Sequence, residues 1–341
     1  FEEYGTDAVR FATMLMSPQG LDVLFSNDRL EIGRNFMNKL WNASRFVHMN
    51  LDDLKNDNDT LDISQLEEPE RWILNRLDET AVEVNKLLNK FKFNEAAKLI
   101  YEFTWNDYCD WYIEIAKTRF YGNDNKKKEL AQKVAVKTLK GILILLHPYA
   151  PFITEEIWSF FRNKDDLDLI VSPWINPHEF IPDDDALKSF EVIKSTISAV
   201  RMIRSKMNVP SNKRSNVIIR KGEKFESIIQ NNSAIIKSLG NIENISFSND
   251  SKKPKKSATV VTNQMEIFIP LEGLIDFEIE ISRLSKRLNE LDKHVKSIKH
   301  KLTNKKFIDR APKEVVSHEK QKLDDMIVEY NLVKQNLDIL I

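Results

Sequence analysis

Residues 281–302 read ISRLSKRLNELDKHVKSIKHKL, and apolar side chains return in this stretch every three or four residues. The same spacing returns in residues 323–340. Such a repeat is typical of a coiled-coil seam. The break between the two stretches contains Pro312 and is short enough to turn the chain back, which predicts an antiparallel helical hairpin over residues 276–341. The expected seam positions are Ile281, Leu284, Leu288, Leu291, Val295, Ile298 and Leu302, then Leu323, Met326, Tyr330, Val333, Leu337 and Leu340.

Upstream of this hairpin, most of the chain follows a helical period. Gly33, Phe36, Leu40, Ala43 and Val47 recur at a spacing of three and four residues, which places them on one face of a long helix. Similar stripes, separated by polar loops, continue to about residue 161. Five or six amphipathic helices of this length indicate an α-helical bundle, which we expect to occupy residues 1–175.

The period changes between the bundle and the hairpin. A helical stretch over residues 186–207 is followed by short segments rich in Val and Ile, with a second helical stretch between the first two of them. We expect a connecting helix and a small α/β subdomain over residues 176–275. The fold class predicted from the whole sequence is mainly α. The expected strands are 216–220, 242–247, 258–261 and 265–269.

Composition excludes several kinds of site. The 341 residues include only 8 glycines, never closer than 13 apart, so neither a dinucleotide fingerprint nor a phosphate loop can be present. The single cysteine, Cys109, cannot form an internal disulfide or a multi-cysteine zinc site. The six histidines are scattered, and no apolar run approaches the roughly 20 residues of a membrane span. The sequence therefore predicts no catalytic residue and no metal site in this chain.

The formal net charge of −1 hides a segregation of charge along the chain. Residues 201–224 carry eight Lys or Arg against one Glu, and residues 283–322 carry thirteen against five acidic residues. Clustered cations are what a polyanion such as a nucleic acid requires. The alternative is that these lysines only solvate exposed helix faces.

Two groups of residues are candidates for chemistry or binding. Asp107, Asp110 and Glu114 share one helix face, but they alternate with large aromatic side chains, which favours a structural role in a helix contact. The helix around residues 33–46 combines aromatic residues with cations, and this combination can stack on unpaired RNA bases. Its aromatic and basic residues are Phe36, Trp41 and Phe46 with Arg34, Lys39 and Arg45.

A set of motifs, in order and spacing, resembles the C-terminal half of the valyl-tRNA synthetase family. The residues of the hairpin, with KFIDRAPKEVVSHEKQKL at 306–323, resemble the coiled coil at the end of the bacterial enzymes. The isoleucyl sister enzymes commonly end in a cysteine-ligated zinc module, which one cysteine excludes, and the leucyl enzymes lack the coiled coil. The motifs are YGTDAVRF (4–11), GRNFMNKLWNASRF (33–46), ERWILNRL (70–77), NDYCDWYIEIAK (106–117), HPYAPFITEEIW (147–158), SPWIN (172–176) and RMIRSKMNVP (201–210).

The resemblance implies a class I aminoacyl-tRNA synthetase that ligates valine to tRNA(Val) with ATP and Mg²⁺, and edits tRNA mischarged with threonine. Editing is needed because a hydrophobic pocket rejects a near-isosteric hydroxyl analogue poorly. HIGH and KMSKS motifs and an editing domain are not found in these residues. We therefore expect a fragment, inactive by itself and without a cofactor of its own, from a monomeric cytoplasmic enzyme with no membrane or DNA partner.

The resemblance also implies site residues. In the bundle, expected to be the anticodon-binding domain, an aromatic residue near the end of the GRNFMNKLWNASRF helix stacks on an anticodon base, and the match falls on Phe46. Trp41, Asn42, Arg34 and Arg45 are its expected neighbours in the anticodon site. The hairpin is expected to be a tRNA-binding arm whose cations lie against the outer corner of the tRNA. These cations are Lys293, Lys296, Lys299, Lys305, Lys306, Arg310, Lys320 and Lys322.

Two alternatives from other functional classes remain at this point. One is a structural or interaction protein that dimerises through its coiled coil. The other is a free-standing tRNA-binding factor that is never attached to a catalytic domain.

Overall fold

Helices make up most of the chain in the computed structural model, which describes residues 2–17, 20, 27–51, 61–162, 167–176, 183–248, 254–262, 265–304 and 313–341. The residues group into two units, Phe1–Glu191 and Val192–Ile341. The three-part division at residues 175 and 275 stays a prediction. None of the helices in the described ranges combines the length and apolar composition that crossing a membrane requires.

The first unit is a bundle of helices. A π-helical segment, Phe103–Tyr112, joins the fourth and fifth helices, so residues 93–120 form one continuous helical rod. A further helix, α8 (Asp184–Lys206), begins in this unit and ends in the second. The helices of the bundle are α1 (Thr6–Met16), α2 (Asn27–His48), α3 (Glu68–Asn89), α4 (Phe93–Glu102), α5 (Ile113–Phe120), α6 (Asn125–Leu146) and α7 (Pro151–Phe161).

Small and aromatic residues fix the crossing of α1 and α2. A Cβ atom on Gly33 would lie 2.2 Å from the backbone oxygen of Ala8, so only glycine lets the two backbones approach this closely. Beside this contact the rings of Phe11 and Phe36, both fully buried, lie with their centroids 4.8 Å apart. The crossing holds α2, the helix with the expected anticodon-site residues, against the core.

Two buried charged groups connect other helices of the bundle. The Asp7 carboxylate on α1 accepts a hydrogen bond of 2.6 Å from the backbone N–H of Ile153, in the first turn of α7. Glu70 on α3 is fully buried and lies 2.5 Å from the guanidinium of Arg119 on α5. Burial alone would lower the pKa of Arg119, but the neighbouring acidic groups, Glu70 first among them, together raise it. Burial raises the pKa of the Glu70 carboxyl, although the Arg119 guanidinium acts to lower it. This pair ties α3 to α5.

The second unit contains a four-stranded sheet and a helical hairpin. The strand order is β2-β1-β4-β3, with β1 and β2 parallel and the other two pairs antiparallel. Helices α9 (Glu226–Asn231) and α10 (Ser233–Gly240) form the crossover that a parallel pair requires. The observed strands overlap all four that the sequence predicts. They are β1 (Ser215–Arg220), β2 (Ile242–Phe247), β3 (Ser257–Thr262) and β4 (Met265–Pro270).

The hairpin consists of α11 (Phe277–Thr303) and α12 (Lys313–Leu340). Arg287, early in α11, contacts Glu329, late in α12, whereas Lys301 near the end of α11 contacts Glu319 near the start of α12. The two helices therefore run antiparallel, as predicted. The expected turn around Pro312 lies outside the described residues. The fold class predicted from the sequence, a helical bundle with a small α/β subdomain and a coiled-coil hairpin, is confirmed.

Candidate tRNA interface

The aromatic residue that the resemblance singled out, Phe46, belongs to a cluster between α2 and the end of α5. Its half-buried ring stacks on Phe120, with centroids 5.9 Å apart and an interplanar angle of 23°. The ammonium group of Lys117 lies 5.4 Å from the centroid of the Phe46 ring and pairs with Glu114 at 2.6 Å. Because Phe120 is only 3% exposed, it braces the Phe46 ring from inside the bundle. A half-buried aromatic ring beside a cation suits an RNA base.

One member of this cluster was missed by the sequence reasoning. Tyr121 makes an edge contact with Phe46 at 6.5 Å between centroids, and it is 71% exposed. It follows the last residue of α5 and precedes Gly122. This position just past a helix end is the sequence feature that could have identified Tyr121 as a candidate. Tyr121 is the more accessible of the two aromatic side chains.

Trp41 faces a different neighbour from Phe46. The five-residue separation turns the two side chains about 140° apart around α2. Trp41 contacts Phe160 on α7 at 5.9 Å between ring centroids, on the other side of the helix from the Phe46 cluster. The structure therefore does not bring these two aromatic residues together.

The three polar residues of the expected site also separate. Asn42 is exposed and lies one turn before Phe46 on the same face, and Arg45 is exposed directly beside it. Arg34 lies twelve residues earlier, about 18 Å along the helix axis. It pairs with Glu31 at 3.4 Å, and its guanidinium carbon lies 5.4 Å from the centroid of the Tyr4 ring. Asn42 and Arg45 thus accompany Phe46, whereas Arg34 belongs to a different part of the surface.

The three carboxylates on the 93–120 rod each have a cationic partner. Asp107 accepts from Arg76 Nε at 3.0 Å, and Asp110 pairs with Lys39 at 2.6 Å. Glu114 pairs with Lys117, as described above. Because the three acids are bound to three separate cations, they do not converge on a common point where a substrate could be held.

The remaining reactive groups are sequestered or scattered. Burial raises the pKa of the Cys109 thiol to about 12, so this thiol stays protonated and unreactive at neutral pH. Nδ1 of His147 lies 2.8 Å from Oγ1 of Thr154, within the bundle. Among the described residues no group of three His, Cys, Asp or Glu side chains could hold a metal ion.

The expected cations of the arm lie on both of its helices. Lys293 and Lys296 are exposed on the side of α11 opposite the buried Leu291 and Val295, and Lys299 is exposed beside that seam. Lys296 pairs with Asp292 on its own helix at 2.6 Å, and this carboxylate raises the pKa of Lys296. Lys305, Lys306 and Arg310 lie outside the described residues. The two expected cations on α12, Lys320 and Lys322, are both exposed.

Two protein families match separate parts of the chain. Residues 70–219 match the family described as "Anticodon-binding domain of tRNA ligase". Residues 276–340 match the family described as "Valyl tRNA synthetase tRNA binding arm". The second match covers α11 and α12, so the hairpin is the part of this chain that corresponds to the tRNA-binding arm of that family.

Similar proteins match along almost the whole chain. The valine–tRNA ligase of Syntrophotalea carbinolica is 41% identical over 341 residues, which covers 99% of this chain and 38% of the relative. The valine–tRNA ligase of Listeria innocua is 38% identical, with the same coverage. The chain is therefore similar, along nearly its whole length, to part of the valyl-tRNA synthetases. This similarity confirms the resemblance drawn from the motifs.

The chain spans about 38% of the length of these valyl-tRNA synthetase relatives. A more distant likeness is to the apo form of Mycobacterium tuberculosis methionyl-tRNA synthetase, which covers 46% of this chain and 33% of the other, at 15% identity and a TM-score of 0.39. The similarity to valyl-tRNA synthetases rests on the sequence relatives and the matching arm. The candidate site residues lie on α2 and on the hairpin.

Proposed function

We propose that this chain is the tRNA-recognition part of a cytoplasmic valine–tRNA ligase, and that its bundle contacts the anticodon of tRNA(Val) while its arm contacts the outer corner. The observation that carries the proposal is the family match of the hairpin, residues 276–340, to a tRNA-binding arm. In this proposal residues 1–175 form the anticodon-binding domain, residues 176–275 connect it, and residues 276–341 are the arm. Valine activation and threonine editing belong to other parts of the parent enzyme.

The chemistry of ATP and Mg²⁺ that such a ligase requires is not assigned to residues of this chain. The glycine spacing excludes a phosphate loop, and no described cluster of three metal-ligating side chains could hold Mg²⁺. The role proposed here is binding and positioning. In such a role, phosphate contacts fix the orientation of the RNA and base contacts specify it.

The anticodon contact is tested by replacing Phe46 with alanine. A lost base stack should weaken binding of tRNA(Val) by about 1–3 kcal/mol, or roughly 5- to 150-fold, and should reduce discrimination against anticodon variants. Binding is measured for the 341-residue chain by fluorescence anisotropy, with tRNA(Val) and with the same tRNA carrying a changed anticodon.

The matched control for this test is Phe152→Ala. Phe152 is an exposed phenylalanine, at 66%, and it lies at the opposite end of α7 from Phe160, the residue that contacts α2. Phe152→Ala should leave binding unchanged. An equal loss on cognate and anticodon-changed tRNA for Phe46→Ala would contradict the assignment of Phe46.

The arm contact is tested through the salt dependence of binding. Replacing Lys293, Lys296 and Lys299 with glutamine should weaken binding to all tRNAs and flatten the plot of log affinity against log salt by about 2–3 units. The control replaces three exposed lysines of the bundle, at positions 86, 90 and 98, with glutamine. If the slope is unchanged in the arm variant, these lysines only solvate the coiled coil.

A further inference from the structure

A recess in the second unit lies where α8 ends and the sheet begins. Its volume is about 550 Å³, and it is lined by the last turn of α8, the residues that follow it and Asn241. Asn208 and Asn241, which both line it, adopt left-handed backbone conformations, with φ of 48° and 52°. The lining residues are Arg204, Ser205, Asn208, Val209, Ser211 and Asn241, here called the Arg204 recess.

The guanidinium of Arg204 is the charged group of this recess. Arg204 is only 7% exposed, and its N–H groups donate to Ser215 Oγ at 2.5 Å, to Pro210 O at 3.0 Å and to Asn241 O at 3.4 Å. All three acceptors are neutral. Burial lowers the pKa of Arg204, and no described carboxylate acts to raise it. A buried cation without an anion is costly, although the C-terminal dipole of α8 offsets part of that cost.

The surroundings of Arg204 are suited to an anion. The lining residues supply the exposed hydroxyls of Ser205 and Ser211 and include no acidic side chain. The acid that reaches the rim is Glu280, whose carboxylate is already bound by Arg283 at 2.6 Å and by Asn208 Nδ2 at 3.3 Å. All of the lining residues except Asn241 lie within residues 201–224, the stretch with eight Lys or Arg and one Glu.

We infer that the Arg204 recess binds a phosphate group, and that in the tRNA complex this group is a backbone phosphate of the RNA. Arginine is the preferred side chain for phosphate because its planar fork of N–H donors matches phosphate oxygens. A bound phosphate would supply the counter-charge that the described residues around Arg204 do not. The RNA assignment rests on the proposed function, whereas the affinity of the recess for phosphate does not. The same chemistry would also accept a small free phosphate compound.

The first test uses a charge placed at the rim, because replacing Arg204 itself would remove three internal hydrogen bonds. Ser211→Glu should repel phosphate, weaken tRNA binding about tenfold or more, and reduce the salt slope by about one unit. The matched control is Ser227→Glu on α9, an exposed serine with the same charge change outside the recess. This control should change neither quantity. Thermal unfolding of both variants checks that each remains folded.

The second test does not depend on tRNA. Inorganic phosphate is titrated into the ¹⁵N-labelled chain while the side-chain amide signals of Asn208 and Asn241 are followed by NMR. We expect saturable shifts in the wild type and in Ser227→Glu, and none in Ser211→Glu. If inorganic phosphate shifts these signals but Ser211→Glu binds tRNA like Ser227→Glu, the RNA assignment is wrong and the ligand is a small phosphate compound.

Two further outcomes distinguish a failure of the Arg204 recess as a phosphate site from a failure of the proposed function. If neither test responds, Arg204 is only an internal clamp and the inference is overturned, even where Phe46→Ala shows that the chain reads an anticodon. If the chain does not bind tRNA at all, the proposed function fails together with the RNA assignment. The phosphate titration then still decides whether the recess binds an anion.

Discussion

Asp7 shows how one buried carboxylate makes the stability of the bundle depend on pH. Burial raises its pKa, although hydrogen bonds from the backbone of Ile153 and Phe152 act to lower it. The folded state therefore holds this proton more tightly than the unfolded chain does. Its contribution to stability is fully present below the unfolded pKa of about 4 and is lost as pH rises through the higher folded pKa.

We therefore predict that Asp7→Asn is more stable than the wild type at pH 7. The asparagine oxygen can still accept from Ile153 N–H without the cost of a buried charge. The advantage should disappear when the pH falls below about 4, where Asp7 is protonated in both states. Urea unfolding at several pH values measures this difference.

The control for this prediction is Asp7→Ala, which removes the acceptor at the start of α7. Loss of such a helix cap costs about 0.5–2 kcal/mol, so this variant should be less stable than Asp7→Asn at every pH. A difference between Asp7→Asn and wild type that does not change with pH would show that Asp7 is not the titrating group.

Side-chain environments were the part of the candidate site that the sequence could not predict. Phe46 came from a motif resemblance, and its spacing from Asn42 placed both on one face. Tyr121 is exposed and Phe120 beside it is buried because α5 ends between them, and only the nearby Gly122 marks this end in the sequence. The sequence does not distinguish Arg204 from the other cations of residues 201–224, and only the fold shows that it is buried.

At the level of secondary structure, the arm combines two kinds of contact with different energies. Its seam is apolar, and Leu291 is 1% exposed between the two helices. Its flanks carry ion pairs such as Arg287 with Glu329 at 2.6 Å, in which both side chains are 43% exposed. Exposed ion pairs of this kind contribute about 0–1 kcal/mol because water and salt screen them.

We predict that Leu291→Ala destabilises the arm by about 2–5 kcal/mol, as expected for a large-to-small change at a buried position. Amide hydrogen exchange of α11 and α12 measures the effect, and faster exchange should be confined to these helices. The control, Glu329→Gln, should cost no more than about 1 kcal/mol. If both variants exchange alike, the flanking charges contribute as much as the seam.

Regular elements were predictable because their apolar spacing is local. The arm helices and the helix that includes Gly33 and Val47 follow from a period of 3.6 residues, and the four strands follow from short segments rich in Val and Ile. The π-helical segment Phe103–Tyr112 was not predicted. Within it the hydroxyls of Tyr108 and Tyr112 donate to Ala135 O and Ala131 O on α6, and such contacts between distant segments leave no mark in the local spacing.

For the chain as a whole, the charge distribution and the arm bear on the oligomeric state. The basic stretches 201–224 and 283–322 are balanced by acidic residues elsewhere, so the net charge is −1. Weak net repulsion would allow two copies to associate if an apolar surface were free. The alternative of a dimerising coiled coil therefore depends on whether the seam is satisfied within one chain.

The structure shows that the seam residues of α11 pack against α12 of the same chain. Leu284, Leu291, Val295 and Ile298 of α11 are buried, as is Val333 of α12, with no second copy present. A coiled-coil dimer through this seam would first have to separate the two helices. We therefore predict a monomer of 39.8 kDa by multi-angle light scattering, independent of concentration in the micromolar range.

Comparing a substitution outside the seam with one inside it makes the monomer prediction specific to the seam. Val328, on the outer side of α12, is 68% exposed, so self-association through that face should be reduced by Val328→Ser. A dimer mass in the wild type that returns to 39.8 kDa in Val328→Ser would place an interface on the outside of the arm. A dimer that persists in Val328→Ser but is lost in Leu291→Ala would mean that the two seams are exchanged between chains, and the monomer prediction would be wrong.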